Sequence, residues 1–175
     1  YRADLKGGAL NDCGCYVAYM ARKIMQKEPI AVTCTLEHGG EVDIQGSALF
    51  EFENGTALLS FGLDHCYQNT YTVWGSKGII RTNRAFPVPA TMVPVVELVT
   101  NDGKEERHEI IDVPASNQFA LSFEFFCKAV AVNATEKFED MYTRIIRQAT
   151  VLEAMRISAR EGRRVTLKSN THALA

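Results

Sequence analysis

Apolar residues first recur at helical spacing between Ala9 and about Met25. Leu10, Cys13, Val17, Met20, Ala21 and Ile24 fall on one stripe, and Pro29 ends the run. The period then changes to two. Ile30–Leu36 is β-branched and alternating, and Ser47–Glu53 sets Ala48, Phe50 and Phe52 against Leu49, Glu51 and Glu53. Asn54-Gly55 is a hairpin signal, and the return strand, about Thr56–Leu63, groups Ala57, Leu59, Phe61 and Leu63. Further strands are expected at Thr70–Trp74, Ile79–Thr82, Val95–Thr100 and Glu105–Ile111, with turns at Gly75-Ser76-Lys77-Gly78 and Asn101-Asp102-Gly103. Pro87, Pro89 and Pro94 mark an irregular crossing between them.

The helical period returns after the strands. Phe119, Phe123, Phe126 and Val130 form one stripe and Leu121, Phe125 and Val132 a second, so this helix is expected to be buried on two sides. A last helix runs from about Asp140 to Arg160, with Ile145, Ala149, Leu152, Met155 and Ala159 inward and Gly162 as its terminating residue. Arg163–Lys168 reads as a short final strand and residues 169–175 as a polar tail. The order of helix, meander and two helices predicts an α+β domain over residues 1–168. Its mostly antiparallel sheet is open-faced, with helices packed on one face. The uncovered face should then expose an apolar set such as Ala48/Phe50/Phe52 or Ala57/Leu59/Phe61, and a second copy of the chain would bury it.

Composition narrows the class. The 175 residues are 46% hydrophobic and 23% charged, with a net charge of −2, which argues against a general polyanion binder. No apolar run approaches the ~18–20 residues of a membrane span. The chain opens on Tyr1 without a leader pattern, as a piece of a longer or processed protein would. Five cysteines, an odd number and thinly spread, make a poor disulfide framework and fit reduced thiols in the cytoplasm. Cys13-Gly14-Cys15 lacks the spacing and the second ligand pair of a zinc site, so no metal is expected.

Candidate chemistry lies at the start of the first helix. Asp12 and Tyr16 are four residues apart, to the side of the buried stripe, behind the flexible pair Gly7-Gly8. A carboxylate accepts hydrogen bonds from hydroxyls and a phenol donates or releases a proton, so the pair suits a polyol or sugar. On periodicity alone the plainer reading is stronger: Asp12 as a first-turn charge and Tyr16 as a half-buried packing residue.

The segment Tyr1-Arg2-Ala3-Asp4-Leu5-Lys6-Gly7-Gly8-Ala9-Leu10-Asn11-Asp12-Cys13-Gly14-Cys15-Tyr16 closely resembles a signature of the glucose–fructose oxidoreductase and inositol dehydrogenase family (Gfo/Idh/MocA). Val73-Trp74-Gly75-Ser76-Lys77-Gly78-Ile79-Ile80-Arg81 is similar to that family's glycine hairpin. Ser158-Ala159-Arg160-Glu161-Gly162-Arg163-Arg164-Val165 is similar to its closing motif. The resemblance covers residues 1–168. It implies the C-terminal substrate and oligomerisation domain of an NAD(P)-dependent oxidoreductase acting on a sugar, sugar derivative or polyol, with a dihydrodipicolinate-reductase-like fold.

By the same resemblance, Tyr16 holds the proton-transferring position and Asp12 contacts substrate or orients the catalytic group. Arg2 matches a frequent loop arginine. Lys6 departs from the usual third glycine, and suits either an anionic substrate group or plain solvation. A free phenol is a poor base at neutral pH and needs a nearby cation, which the family supplies as a lysine from its N-terminal Rossmann domain. No G-x-G-x-x-G follows a strand in this sequence. NAD or NADP is therefore expected in the parent protein and not on this chain, which alone should be inactive. Lys27-Glu28-Pro29 reads as a helix stop. The competing reading is a free-standing, non-catalytic module that dimerises through its sheet or binds a small ligand.

Overall fold

The computed structural model describes residues 2–132 and 135–167, with side chains over 2–132 and 138–167; the expected polar tail at 169–175 lies outside them. A short turn at Ala3–Leu5 leads to a wide helical turn, Leu10–Gly14, which continues into α1 (Cys15–Met25). Three strands follow: β1 (Ala31–His38), β2 (Asp43–Phe52) and β3 (Gly55–Gly62). Four more are β4 (Tyr71–Gly75), β5 (Gly78–Thr82), β6 (Val96–Asn101) and β7 (Glu106–Ile111). Helices α2 (Gln118–Ala131) and α3 (Thr135–Glu161) precede the two-residue β8 (Val165–Thr166). The class is α+β, as expected. Among the described residues no helix is long and apolar enough to cross a membrane.

The strands pair as two four-stranded antiparallel sheets, ordered β3-β2-β1-β8 and β4-β5-β6-β7, where the sequence predicted one meander. The break falls after β3. Asp64 takes a left-handed conformation (φ 54°), which ends the extended run before β4 begins. The chain divides correspondingly into two compact units, Tyr1–His65 with Glu136–Ala175, and Cys66–Thr135.

The first unit holds the core. Its register aligns Val32, Phe50 and Ala57 in one row and Cys34, Ala48 and Leu59 in the next, so both candidate apolar sets share a single face. Leu10, Ala18 and Ala21 from the first helix and Val151, Ala154 and Met155 from α3 pack on that face. Phe50, Leu10 and Met155 are almost wholly buried, each stabilising the fold by roughly 1.5–3 kcal/mol. This corrects the expectation that one apolar set would point outward. The opposite face carries rows of Thr33, Leu49 and Leu58 and of Thr35, Ser47 and Ser60. Hydroxyls dominate it because period-two alternation sends every large ring of β2 and β3 to the helix side; Leu49 and the 85% exposed Leu58 are the exceptions.

Local chemistry sets the ends of the elements. α1 stops at Gln26, held left-handed at φ 54°, with Pro29 three residues on. The Asn54-Gly55 turn joins β2 to β3 as predicted. α3 ends before Gly162 (φ 61°), and β8 then returns antiparallel to β1, pairing Val165 with Val32.

The second unit is built on the other sheet. One of its faces aligns Val73, Ile80 and Leu98, flanked by Tyr71, Val96 and Ile111. Asn117 caps α2, its side-chain oxygen accepting the Ala120 N–H at 3.0 Å. The expected two-sided burial of α2 is overturned. Phe119, Leu121, Phe123, Phe125, Phe126 and Val130 are all exposed, and only Ala129 is buried among the described residues of this helix. A periodic apolar stripe shows that a surface is available for packing, and here most of its large side chains stay more than half exposed.

Candidate functional site

The entry to the first helix is built by backbone geometry. Lys6 adopts a left-handed conformation (φ 55°), its N–H reaching Ala3 O at 3.0 Å, while Gly7 N–H reaches Arg2 O at 3.0 Å. Gly8 follows at φ 126°, where a side chain is strained; a Cβ there would also stand 2.4 Å from Asp43 Oδ1. The carboxylate of Asp43, from β2, thus lies directly against the loop. Its Oδ2 accepts the Leu10 N–H at 2.6 Å, satisfying a donor at the helix start with a negative charge where the helix dipole favours one.

Asp12 sits inside the wide turn Leu10–Gly14, and its N–H donates to Gly8 O at 3.0 Å. Wide turns of this kind are rare and concentrate at functional sites. Gly14 belongs to the same turn and is buried. A Cβ there would meet the Phe61 ring at 3.1 Å, so glycine lets the helix close onto β3. Tyr16 is the second residue of α1 and is 52% exposed. Asp12 and Tyr16 are both exposed at the helix start, whereas Leu10, Ala18 and Ala21 are buried. Here the carboxylate can accept from a ligand hydroxyl and the phenol can exchange a proton with a ligand oxygen.

The other two candidates are placed differently. Arg2 turns its guanidinium onto Asp4, with Nε donating to Oδ1 at 3.0 Å, and this pairing holds its pKa above the ordinary arginine value. Lys6 is exposed, and its carbonyl accepts from Asn11 Nδ2 at 2.6 Å. Asn11 in turn accepts from Arg156 of α3. The loop residues are thereby tied to one another and to α3.

Two residues at this site carry no recognisable pattern in the sequence. Asp43 is one. The other is Gln148 of α3, whose Nε2 donates to Cys15 O at 3.0 Å. Its Oε1 accepts from Arg22, which is 8% exposed and forked onto Glu28 at 2.6 and 2.7 Å. Glu28, read from sequence as part of a helix stop, is thus also the counter-charge of a buried arginine.

The thiols nearby are held protonated. Burial, then the charge of Asp12, raises the pKa of Cys13; burial is also the main cause for Cys15. Cys34 is pushed up to about 11, chiefly by burial and then by the Asp43 carboxylate. None has the depressed pKa of a nucleophilic thiol.

The family model described as GFO/IDH/MocA C-terminal domain matches residues 1–81. A dTDP-3,4-didehydro-2,6-dideoxy-alpha-D-glucose 3-reductase of Actinomadura kijaniata is 37% identical over 166 residues, covering 92% of this chain and 48% of that protein. A reductase of the same name from Saccharopolyspora spinosa is 33% identical over 166 residues, covering 89% and 48%. Among solved structures, an A. kijaniata 3-ketoreductase in complex with TDP-benzene and NADP superimposes with a TM-score of 0.78 at 35% identity, covering 87% of this chain and 47% of that one. An aldose-aldose oxidoreductase from Caulobacter crescentus shares the fold at TM-score 0.73 and 24% identity, covering 92% of this chain and 48% of that one. The chain spans about half the length of the curated relatives it matches. In motif, fold and relatives alike, the chain belongs to the Gfo/Idh/MocA oxidoreductase family and corresponds to its C-terminal domain.

Proposed function

We propose that residues 1–168 form the substrate-binding and oligomerisation domain of an NADP-dependent reductase acting on a keto group of a nucleotide-linked sugar. The observation that carries this reading is the 37% identity to a dTDP-keto-sugar 3-reductase across 92% of the chain, with Asp12 and Tyr16 exposed at one helix start. In this reading the Tyr16 hydroxyl donates its proton to the carbonyl oxygen as that oxygen becomes an alkoxide, and the Asp12 carboxylate orients a neighbouring sugar hydroxyl. Lys6 is exposed on the adjoining loop, where its positive charge favours an anionic substrate group, and Arg2 could join it only by leaving Asp4.

The entry to the first helix does not fit a dinucleotide phosphate. The glycine-bearing helix entry, where a phosphate would otherwise sit, is occupied by the Asp43 carboxylate on Leu10 N–H. The NADP site is therefore assigned to an N-terminal Rossmann domain of the parent protein, and this chain's own contribution is the proton and the substrate contacts. The apolar row Val73, Ile80 and Leu98 supports self-association through the second sheet. The odd number and thin spacing of the five cysteines support a reducing cytoplasmic location.

The test is NADPH oxidation by the full-length protein, followed with a TDP-linked 3-keto sugar, a free aldose and inositol. Turnover confined to the nucleotide-linked ketone supports the reading. Turnover only with the free sugar or polyol, or with none of the three, overturns it.

A further inference from the structure

The wide turn that carries Asp12 is gripped from outside at both ends. Leu10 N–H, at its beginning, is taken by Asp43 Oδ2 at 2.6 Å, and Cys15 O, just past its end, is taken by Gln148 Nε2 at 3.0 Å. Tyr16 is the next residue along. Asp43 comes from β2 and Gln148 from α3, so the sheet and the long helix each hold one end of the turn. We propose that Asp43 and Gln148 are positioning residues that fix where Asp12 and Tyr16 point; this rests on the catalytic reading of that pair.

Both contacts are stiff. The Asp43 carboxylate packs against the Gly8 backbone with no room for even a methyl group between them. The Gln148 amide cannot rotate end for end, because its oxygen faces the Arg22 guanidinium, a donor-only group. Arg22 is itself held by two bonds to Glu28. The orientation of one amide thus follows from an ion pair whose arginine is buried and whose carboxylate reaches solvent, and it delivers an N–H to Cys15 O. A wide turn departs from the regular α-helical bonding ladder, so groups outside it can decide its geometry. A displacement of about 1 Å at a reacting group can cost about 10²-fold in rate.

The experiment is a double-mutant cycle in the full-length protein. Asp43→Ala, Asp43→Asn and Gln148→Glu are each made in the wild type and in Tyr16→Phe. Gln148→Glu keeps an acceptor for Arg22 while replacing the donor to Cys15 O with a repelling carboxylate oxygen, so it carries the test if Asp43→Ala does not fold. Asp43→Ala and Gln148→Glu should lower kcat by about 10- to 100-fold with KM for NADPH changed less than about twofold. Asp43→Asn, whose amide oxygen still accepts Leu10 N–H, should recover most of the loss. In the Tyr16→Phe background each substitution should lower kcat by a clearly smaller factor than in the wild type, because one of the two groups they position is gone and only the contribution of Asp12 remains.

Equal fractional losses in the two backgrounds, or wild-type kcat in both Asp43→Ala and Gln148→Glu, overturn the proposal. If the wild-type protein reduces no keto sugar, the functional reading fails separately and amide hydrogen exchange decides the positioning role. Faster exchange in Asp43→Ala confined to residues 9–16 supports it, and unchanged exchange there overturns it.

Discussion

The Ser158 hydroxyl accepts the backbone N–H of Cys34 at 2.9 Å, joining α3 to β1 across 124 positions of sequence. Strand β8 pairs with β1 only at Ala31 and Val32, so the next N–H on that edge, at Cys34, would otherwise be buried without a partner. The same hydroxyl donates to Arg163 O at 2.6 Å, closing the turn after α3. Ser158→Ala orphans both groups. It should destabilise the protein by about 1–3 kcal/mol, read as a lower urea midpoint with unchanged slope. A midpoint equal to wild type would mean that the Cys34 N–H finds another acceptor.

Tyr16→Phe removes the proton-exchanging oxygen and little else from a half-exposed side chain. In the full-length protein kcat should fall by roughly 10²–10⁴-fold while the Kd for NADPH stays near wild type. Retention of most of the turnover would remove Tyr16 from the mechanism.

Thiol chemistry should follow burial. Cys66 and Cys127 are exposed, whereas Cys34 is buried with its pKa pushed up to about 11. At pH 8 a disulfide reagent should label Cys66 and Cys127 promptly and Cys34 only on unfolding. Mass mapping of the labelled peptides checks the order, and early labelling of Cys34 would contradict its placement in the core.

His108 lies between two carboxylates, its Nδ1 2.8 Å from Glu97 and its Nε2 2.8 Å from Glu106. These hydrogen bonds raise its pKa above the ordinary 6.5, the one to Glu97 having the larger effect. A raised folded-state value means that the pair's stabilisation is fully present below the unfolded pKa and is lost as pH rises through the folded one. An NMR titration should place the His108 midpoint above 6.5, with Glu97→Gln lowering it more than Glu106→Gln. A wild-type midpoint at or below 6.5 would contradict the arrangement.

Local pattern made much of the fold legible. The stripe from Leu10 to Ile24, the turn at Asn54-Gly55 and the terminating Gly162 each depend on neighbours within a few residues, and each element formed where predicted. Strand partition was not legible, because the left-handed Asp64 that separates β3 from β4 carries no glycine to announce it. Nor was the direction of the apolar faces. Ala48, Phe50 and Phe52 alternate in one strand and Ala57, Leu59 and Phe61 in another, but only the register shows that they share a side. For α2, periodicity reported an apolar stripe and could not report what covers it.

At the candidate site, Asp12 and Tyr16 were readable from the helix start and from the motif they resemble. Asp43 and Gln148 were not, since each acts on backbone atoms more than 30 positions away. A hydrogen bond to a main-chain N–H or carbonyl places no demand on the neighbouring sequence, and so leaves no periodic trace.

Strand β8 also bears on the order of assembly. The sheet it joins begins at β1, while the residues that complete it and cap its core, Val151 to Thr166, come from the far end of the chain. Residues 66–135 form a unit of their own between these two parts. During synthesis that middle unit is contiguous and can form as soon as it emerges, whereas the first sheet stays incomplete until the last helix is released. Within this domain the strands made first are thus the last to be sealed, and Phe50, Phe52 and Phe61 remain open to chaperones or to misassociation throughout that wait.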